Sequence, residues 1–348
     1  LKSDHSQLNA AQREAVLYLD GPALVLAGAG SGKTRVITQK IGYLIRDCGY
    51  QARGIVALTF TNKAAREMDE RVKSMMDPAL SKGVTISTFH SLGVRILREE
   101  ATHAGLKQQF SILDADDALA IVQDLLATTD KGRIRGVQQT ISLWKNGLTD
   151  PDEAAKLATT PNELEAARVY RSYNATLSAY QAVDFDDLIA LPAQIFAQQP
   201  EIREKWQARV RYLLVDEYQD TNVCQYRLVQ LLTGQRAMFT AVGDDDQAIY
   251  AWRGATIENL ANLTKDYPAI RVIKLEQNYR SHGHILDTAN HLIANNSERL
   301  GKNLRTDAGH GEPVRIYEAP SDHAEAAWLV DEIKALINSG IQRTEVAL

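Results

Sequence analysis

Cysteine is nearly absent: Cys48 and Cys224 are the two in 348 residues, and they lie far apart. Neither a disulfide framework nor a thiolate metal site follows from them. The eight histidines show no metal-ligand spacing, so no zinc site is expected. No apolar run approaches the ~20 residues that cross a bilayer. The opening residues, LKSDHS, carry no apolar signal core. These absences together predict a reducing, cytoplasmic setting. An excess of positive charge is also missing. The formal net charge is −5, which argues against a broad basic field. It leaves room for a narrow nucleic-acid groove built from local cations and aromatic faces. Repeats and low-complexity tracts are lacking too. The 24% charged and 45% hydrophobic content fits two or three globular domains.

What is present is an alternation of apolar runs and helical spacing. Residues 8–18 read as a helix with Asn9 as its N-cap. Short apolar strands are expected at 23–26, 55–59 and 84–87, with helices to about 46, over 62–73 and from about 90. Strand–helix alternation predicts a parallel sheet, hence an α/β fold. From about 98 to 209 strand signals stop and helices follow one another, with Pro151, Pro161 and Pro200 at helix starts. This block reads as an all-helical insertion. Strands resume at 212–215, 238–242 and 271–275. A further strand–helix run over 314–317 and 324–337 reads as the start of another sheet, with 345–348 inside a strand.

Two stretches carry chemistry. Between a strand and a helix stands AGAGSGKT, residues 27–34. Glycines in that setting let backbone N–H groups converge on phosphate, and the helix N-terminus adds positive potential. Gly28, Ala29, Gly30, Ser31, Gly32, Lys33 and Thr34 are the expected cradle. Lys33 reaches the outer phosphates and the Thr34 hydroxyl ligates Mg²⁺. The strict pattern has glycine at position 27, where Ala27 stands here. The second stretch, LLVDEYQDT at 213–221, ends an apolar strand in Asp216 and Glu217. The carboxyl edge of an open sheet is where ligands bind. Alone, an acidic pair there is usually a solvated loop. With a phosphate loop upstream, Asp216 becomes the Mg²⁺ carboxylate and Glu217 the base that orients and deprotonates water.

The ordered set of LNAAQREAV, AGAGSGKTRV, ALTFTNKAAREM, ISTFHSLG, DFDDL, LLVDEYQDT, VGDDDQAIYAWRGA and LEQNYRS resembles the superfamily 1 DNA helicases of the UvrD/Rep/PcrA type, the Rep group most of all. The resemblance covers nearly the whole chain and is weakest in the helical insertion. It implies a first RecA-like P-loop NTPase domain, 1A, at 1–92 and 200–277. It further implies a helical domain, 1B, at 93–199 and the beginning of a second RecA-like domain, 2A, at 278–348. Ala27 is the form usual in this family. The family's remaining motifs are not found, so the chain reads as an N-terminal half, weak or inactive as an enzyme by itself. The implied function is ATP-dependent 3′–5′ movement on single-stranded DNA, in replication or repair, with ATP and Mg²⁺ as cofactors and ss/ds junctions as substrates.

By the same resemblance, Gln12, Arg35 and Tyr279 contact the base, Tyr279 by stacking. Gln247 senses the γ-phosphate, and Arg280 acts as an arginine finger on the transferring phosphoryl group. Trp252 and Tyr250 lead the expected DNA track, followed by Phe60 and Phe185, with Thr61, Asn62, Thr88 and His90 contacting phosphates or bases. Asp244, Asp245 and Asp246 read as a solvated charge run, with Asp244 near Gln247. Other readings share some of these features: the helicase subunit of a recombination nuclease, a nucleotide- or strand-binding module without turnover, and a phosphate-loop ATPase acting on proteins.

Overall fold

The computed structural model describes residues 6–251, 254–255, 258–297 and 299–348. Among them the strands are β1 (Ala23–Ala27), β2 (Ile55–Thr59), β3 (Thr85–Thr88), β4 (Ser111–Ile112), β5 (Ala182–Val183), β6 (Tyr212–Val215), β7 (Phe239–Gly243) and β8 (Arg271–Leu275). Six of them form one parallel sheet in the order β3-β2-β6-β7-β1-β8.

The central strands β1, β2, β6 and β7 are fully buried and largely apolar because both faces of the sheet are covered, whereas the edge strands β3 and β8 are partly exposed. Leu24, Leu26, Leu213, Val215 and Phe239 enter one core. Their neighbours Val25, Ala27, Tyr212, Leu214 and Val242 enter the other. The second core is closed by the helices Ala10–Leu17, Lys33–Arg46 and Asn62–Met75. The first is closed by Phe89–Glu99, Asp187–Gln198, Pro200–Arg209 and Val223–Thr233. Chains leaving β1 and β2 therefore cover one face, and the chain leaving β6 covers the other. Because β2 lies beside β6 and β1 beside β7, crevices open at the carboxyl ends of these central strands.

A third apolar core, around Val122, Val137, Ile141 and Tyr173, belongs to the helices Ala115–Leu126, Lys131–Asn146, Pro151–Leu157 and Pro161–Ala179. The short β4–β5 parallel ladder at its base is unforeseen in a stretch without strand signals. Two residues on each strand are too few to leave a period-2 pattern.

Two expected strands do not form. Residues 314–317 find no ladder partner among the described residues, and Ile316 is 95% exposed. A strand needs a neighbour for its N–H and C=O groups. Here Tyr317 instead stacks on Trp328 of the Asp322–Asn338 helix, ring centroids 4.2 Å apart. Of the stretch expected as a terminal strand, Glu345 closes a 3-10 turn that begins at Arg343, and residues 346–348 join no ladder among the described residues. Among the described residues, no helix is long and apolar enough to cross a membrane.

Two helices meet closely at Gly93. A Cβ there meets the Leu188 carbonyl oxygen at 1.7 Å, so the 89–99 and 187–198 helices touch backbone to backbone. Gly93→Ala is expected to cost about 1–3 kcal/mol through overpacking. Thermal unfolding checks this, and an unchanged midpoint contradicts the close approach.

Candidate nucleotide and single-strand site

The loop after β1 turns through Gly30 and Gly32, at φ 67° and 89°. That left-handed region favours glycine. Gly32 is the N-cap of the Lys33–Arg46 helix, and no side chain caps it. The N–H groups of its first turn are thus offered to an anion. Ser31 closes the loop: its hydroxyl donates to the Gly28 carbonyl at 2.6 Å.

The acids of β6 meet this loop across the sheet. Backbone pairing with β2 continues to Asp216, whose N–H donates to the Leu58 carbonyl at 2.8 Å. Glu217 then takes a left-handed conformation at φ 49°, which is uncommon for a side-chain-bearing residue. Lys33 Nζ donates to both Glu217 oxygens, at 3.1 and 2.9 Å. Gln219 Nε2 donates to Glu217 Oε2 at 2.9 Å, and Gln219 Oε1 accepts the Asp244 N–H at 2.9 Å. Gln247 Nε2 in turn donates to Asp244 Oδ2. Burial, then the neighbouring Glu217 charge, pushes Asp216 up to about 6. The same two causes, in the same order, push Asp220 up to about 6. One Asp220 oxygen, Oδ1, is buried without a hydrogen-bond partner.

One cleft of about 720 Å³ joins this chemistry to aromatic side chains. Thr34, Asp216, Glu217, Gln219, Asp220 and Gln247 line one part of it, and Phe60, Thr61, His90, Phe185 and Tyr250 another. Phe185 is 56% exposed and Tyr250 37%. The His90 and Phe185 rings lie 5.2 Å apart, and burial lowers the His90 pKa. The Phe185 loop is pinned by its flanking acids: Lys145 donates to Asp184 at 2.8 Å and to Asp187 at 2.9 Å. Phe60 is half-buried against Phe89, 5.6 Å away. A larger cavity of about 860 Å³ lies at the amino ends of β2 and β3, near Gly54 and Thr85, and none of the expected site residues line it.

Other expected residues are placed differently. Thr88 is buried, outside the cleft, and its hydroxyl caps the Phe89–Glu99 helix by accepting the Ser91 N–H. Thr61 caps the Asn62–Met75 helix through the Ala64 N–H, with Asn62 exposed as its first residue. Trp252 lies outside the described residues.

Gln12 lies on a helix yet is buried. Its Nε2 donates to the Ser31 carbonyl at 2.9 Å and its Oε1 accepts the Asn9 N–H at 3.1 Å. Arg35 is exposed and donates to Gln7 at 3.1 Å. Tyr279 is exposed, with its hydroxyl accepting from Asn9 Nδ2 at 2.8 Å. Arg280 follows it closely over the phosphate loop: a Cβ on Gly30 comes within 2.7 Å of the Arg280 Cβ. Asn278 ties the two segments together, donating to the Ala29 carbonyl at 2.6 Å.

The charge run is corrected outright. Asp244 and Asp245 are buried, and Lys302 Nζ sits among the three acids, 2.5 Å from Asp244, 2.5 Å from Asp245 and 2.9 Å from Asp246. Arg299 adds a bidentate pair to Asp246, both contacts 2.7 Å. Three clustered carboxylates offer ligands for a cation, and a lysine ammonium holds that position. Sequence reasoning misses Lys302 and Arg299 because no local pattern links them to acids more than fifty residues upstream.

A family model described as the UvrD/REP helicase N-terminal domain matches residues 8–268. A second, described as the UvrD-like helicase C-terminal domain, matches 273–348. The chain is 51% identical over 332 residues to an ATP-dependent DNA helicase Rep of Escherichia coli, covering 94% of this chain and 49% of that protein. It is 45% identical over 325 residues to a Buchnera aphidicola protein of the same name, covering 93% and 48%. An ATP-dependent DNA helicase PcrA of Staphylococcus aureus is 43% identical over 347 residues, covering 99% and 47%. The chain thus spans about half the length of the curated relatives it matches.

The raised Asp216 pKa sets a pH dependence. A folded pKa of about 6, above the ordinary 3.8, means the unfolded chain ionises first as pH rises, so this carboxyl costs stability progressively between about pH 4 and 6. Asp216→Asn, without nucleotide or metal, is expected to gain roughly 1–3 kcal/mol at pH 7 and little at pH 4. Urea unfolding at both values checks it; an equal effect at both contradicts the assignment.

Proposed function

The chain belongs to the UvrD/REP helicase family, and on that premise we propose that it is the N-terminal half of an ATP-driven motor moving 3′ to 5′ on single-stranded DNA, engaging ss/ds junctions in the cytoplasm. The observation that carries this reading is the single cleft in which Thr34 and Glu217, the latter paired with Lys33, share space with Phe185 and Tyr250. The β8 strand within the main sheet supports a first RecA-like domain over 1–92 and 200–277. The separate helical core supports an insertion within 93–199. Residues 278–348 then begin the second RecA-like domain.

The nucleotide phosphates sit on the N–H groups of the 28–34 loop and on Lys33. A phosphate takes over the Lys33 ammonium from Glu217, which frees that carboxylate. Glu217 then accepts a proton from water as the water oxygen bonds to the γ-phosphorus and the bond to the β–γ bridging oxygen breaks. Gln247 reads the γ-phosphate, and Arg280 faces the charge that develops on it. Gln12 and Tyr279 take the base, with Gln12 exchanging one internal hydrogen bond for it.

The residues fit Mg²⁺: Thr34 and Asp216 line the same cleft and offer only oxygen, with Asp220 beside them. When bound, Mg²⁺ supplies charge neutralisation on the phosphates. The strand lies across Phe185 and Tyr250, joined by His90 and Phe60. Stacking on ring faces tolerates every base, as movement along any sequence requires. Thr61 and Asn62, at a helix start, contact the strand's phosphates. Thr88 acts indirectly, by holding the His90 helix.

In the full-length protein, Lys33→Ala is expected to abolish nucleotide binding and Glu217→Gln to retain binding while turnover falls about 10²–10⁴-fold. A DNA-stimulated ATPase assay decides, and near-normal turnover in Glu217→Gln sinks the base assignment. Phe185→Ala is expected to weaken single-strand binding by about 1–3 kcal/mol. Unchanged fluorescence anisotropy removes Phe185 from the track.

A further inference from the structure

We propose that Lys302 is a positioning residue for the nucleotide site: with Arg299 it clasps the Asp244–Asp246 loop and so fixes where Gln219 and Gln247 stand beside Glu217. The clasp belongs to a segment, 299–305, that touches two functional loops at once. At one end Arg299 and Lys302 hold the three acids, and the Leu300 N–H donates to Asp245 Oδ2 at 2.8 Å. At the other, the Leu304 side chain fills the space beside the phosphate loop, 2.0 Å from where a Cβ on Gly28 stands. Backbone bonds fix the segment just past Leu304: the Arg305 N–H donates to the Glu276 carbonyl at 3.0 Å, and the Asn278 N–H donates to the Arg305 carbonyl at 2.7 Å. The segment is therefore tied to the stretch that carries Tyr279 and Arg280.

From the clasp a short run of polar contacts reaches the hydrolytic carboxylate. Lys302 pairs with Asp244. Asp244 accepts from the Gln247 amide and donates its own N–H to Gln219, and Gln219 donates to Glu217. Buried carboxylates keep their charge only beside a cation. Without Lys302, Asp244 and Asp245 lose their ammonium partner and stand unpaired beside each other, so the loop that fixes the Gln247 amide loosens. Glutamine orientation at the phosphate end thus depends on a lysine more than fifty residues downstream, on the segment that opens the next domain.

This inference rests on the reading of Gln247 as the γ-phosphate sensor, so that reading is tested beside it. The full-length protein is titrated with ADP and with a non-hydrolysable ATP analogue, in Mg²⁺, by fluorescence. Lys302→Met is expected to cut the preference for the ATP analogue over ADP by about fivefold or more, with ADP affinity unchanged and most of the preference kept in Lys302→Arg. Gln247→Ala is expected to lose the same preference. If Gln247→Ala loses it and a folded Lys302→Met keeps it, the positioning role is wrong and the sensor reading stands. If Gln247→Ala keeps it, the sensor reading fails and the proposal with it. An equal loss of ADP and analogue affinity in Lys302→Met reduces the lysine to a structural role and overturns the proposal. Should Lys302→Met fail to fold, Asp245→Asn weakens the same clasp, and an unchanged preference in that variant is equally contrary.

Discussion

Charge neutralisation at the carboxyl edge of a buried parallel sheet is the constraint on which this site depends. β6 ends in Asp216, Glu217 and, one turn later, Asp220; β7 ends in Asp244, Asp245 and Asp246. Carboxylates placed where water is scarce demand cations. Two groups of them receive one from the protein. Glu217 has Lys33, and the β7 acids have Lys302 and Arg299. Asp216 and Asp220 are the acids pushed up to about 6. Their raised affinity for a proton is the same property that makes hard oxygen ligands ready for a divalent cation. In the proposed reading the acids divide by role: the β7 set holds a loop, Glu217 exchanges a lysine for a water, and Asp216 with Asp220 would hold a divalent cation.

The same edge explains why nucleotide and strand readings converge. Sheet order brings the loop after β1 against the turns after β6 and β7. The β2 and β3 ends add Phe60 and the His90 helix beside them. The helical insertion contributes Phe185, held by Lys145 through Asp184 and Asp187. These elements share one cleft, so in the proposed reading a change in the partners of Glu217 or Gln247 lies within a few side chains of the aromatic track, and coupling needs no long route through the core.

Much of this is legible in the sequence because it is written locally. The strands at 55–59, 212–215 and 271–275 form with the expected bounds, since short β-branched and apolar runs, two of them followed at once by Asp216 and Glu276, leave little freedom. The phosphate loop is legible from glycines that must adopt left-handed backbone. What escapes is long-range. Nothing near Asp244 in sequence announces Lys302. The burial of Gln12 depends on a loop nineteen residues away closing over it. Thr61 and Thr88 sit in motifs, yet their hydroxyls cap helices, a use that the spacing to Ala64 and Ser91 permits. The apolar run at 314–317 looks like a strand because sequence records alternation but not the presence of a partner.

The central claim is that one cleft serves both nucleotide and single strand, and their linkage tests it most directly. The affinity of this protein for a labelled oligo(dT) is measured with and without a saturating non-hydrolysable ATP analogue and Mg²⁺, and the analogue's affinity with and without the oligonucleotide. The account predicts that each ligand shifts the other's affinity by the same factor, about fivefold or more. Two affinities that are each indifferent to the other ligand would contradict it.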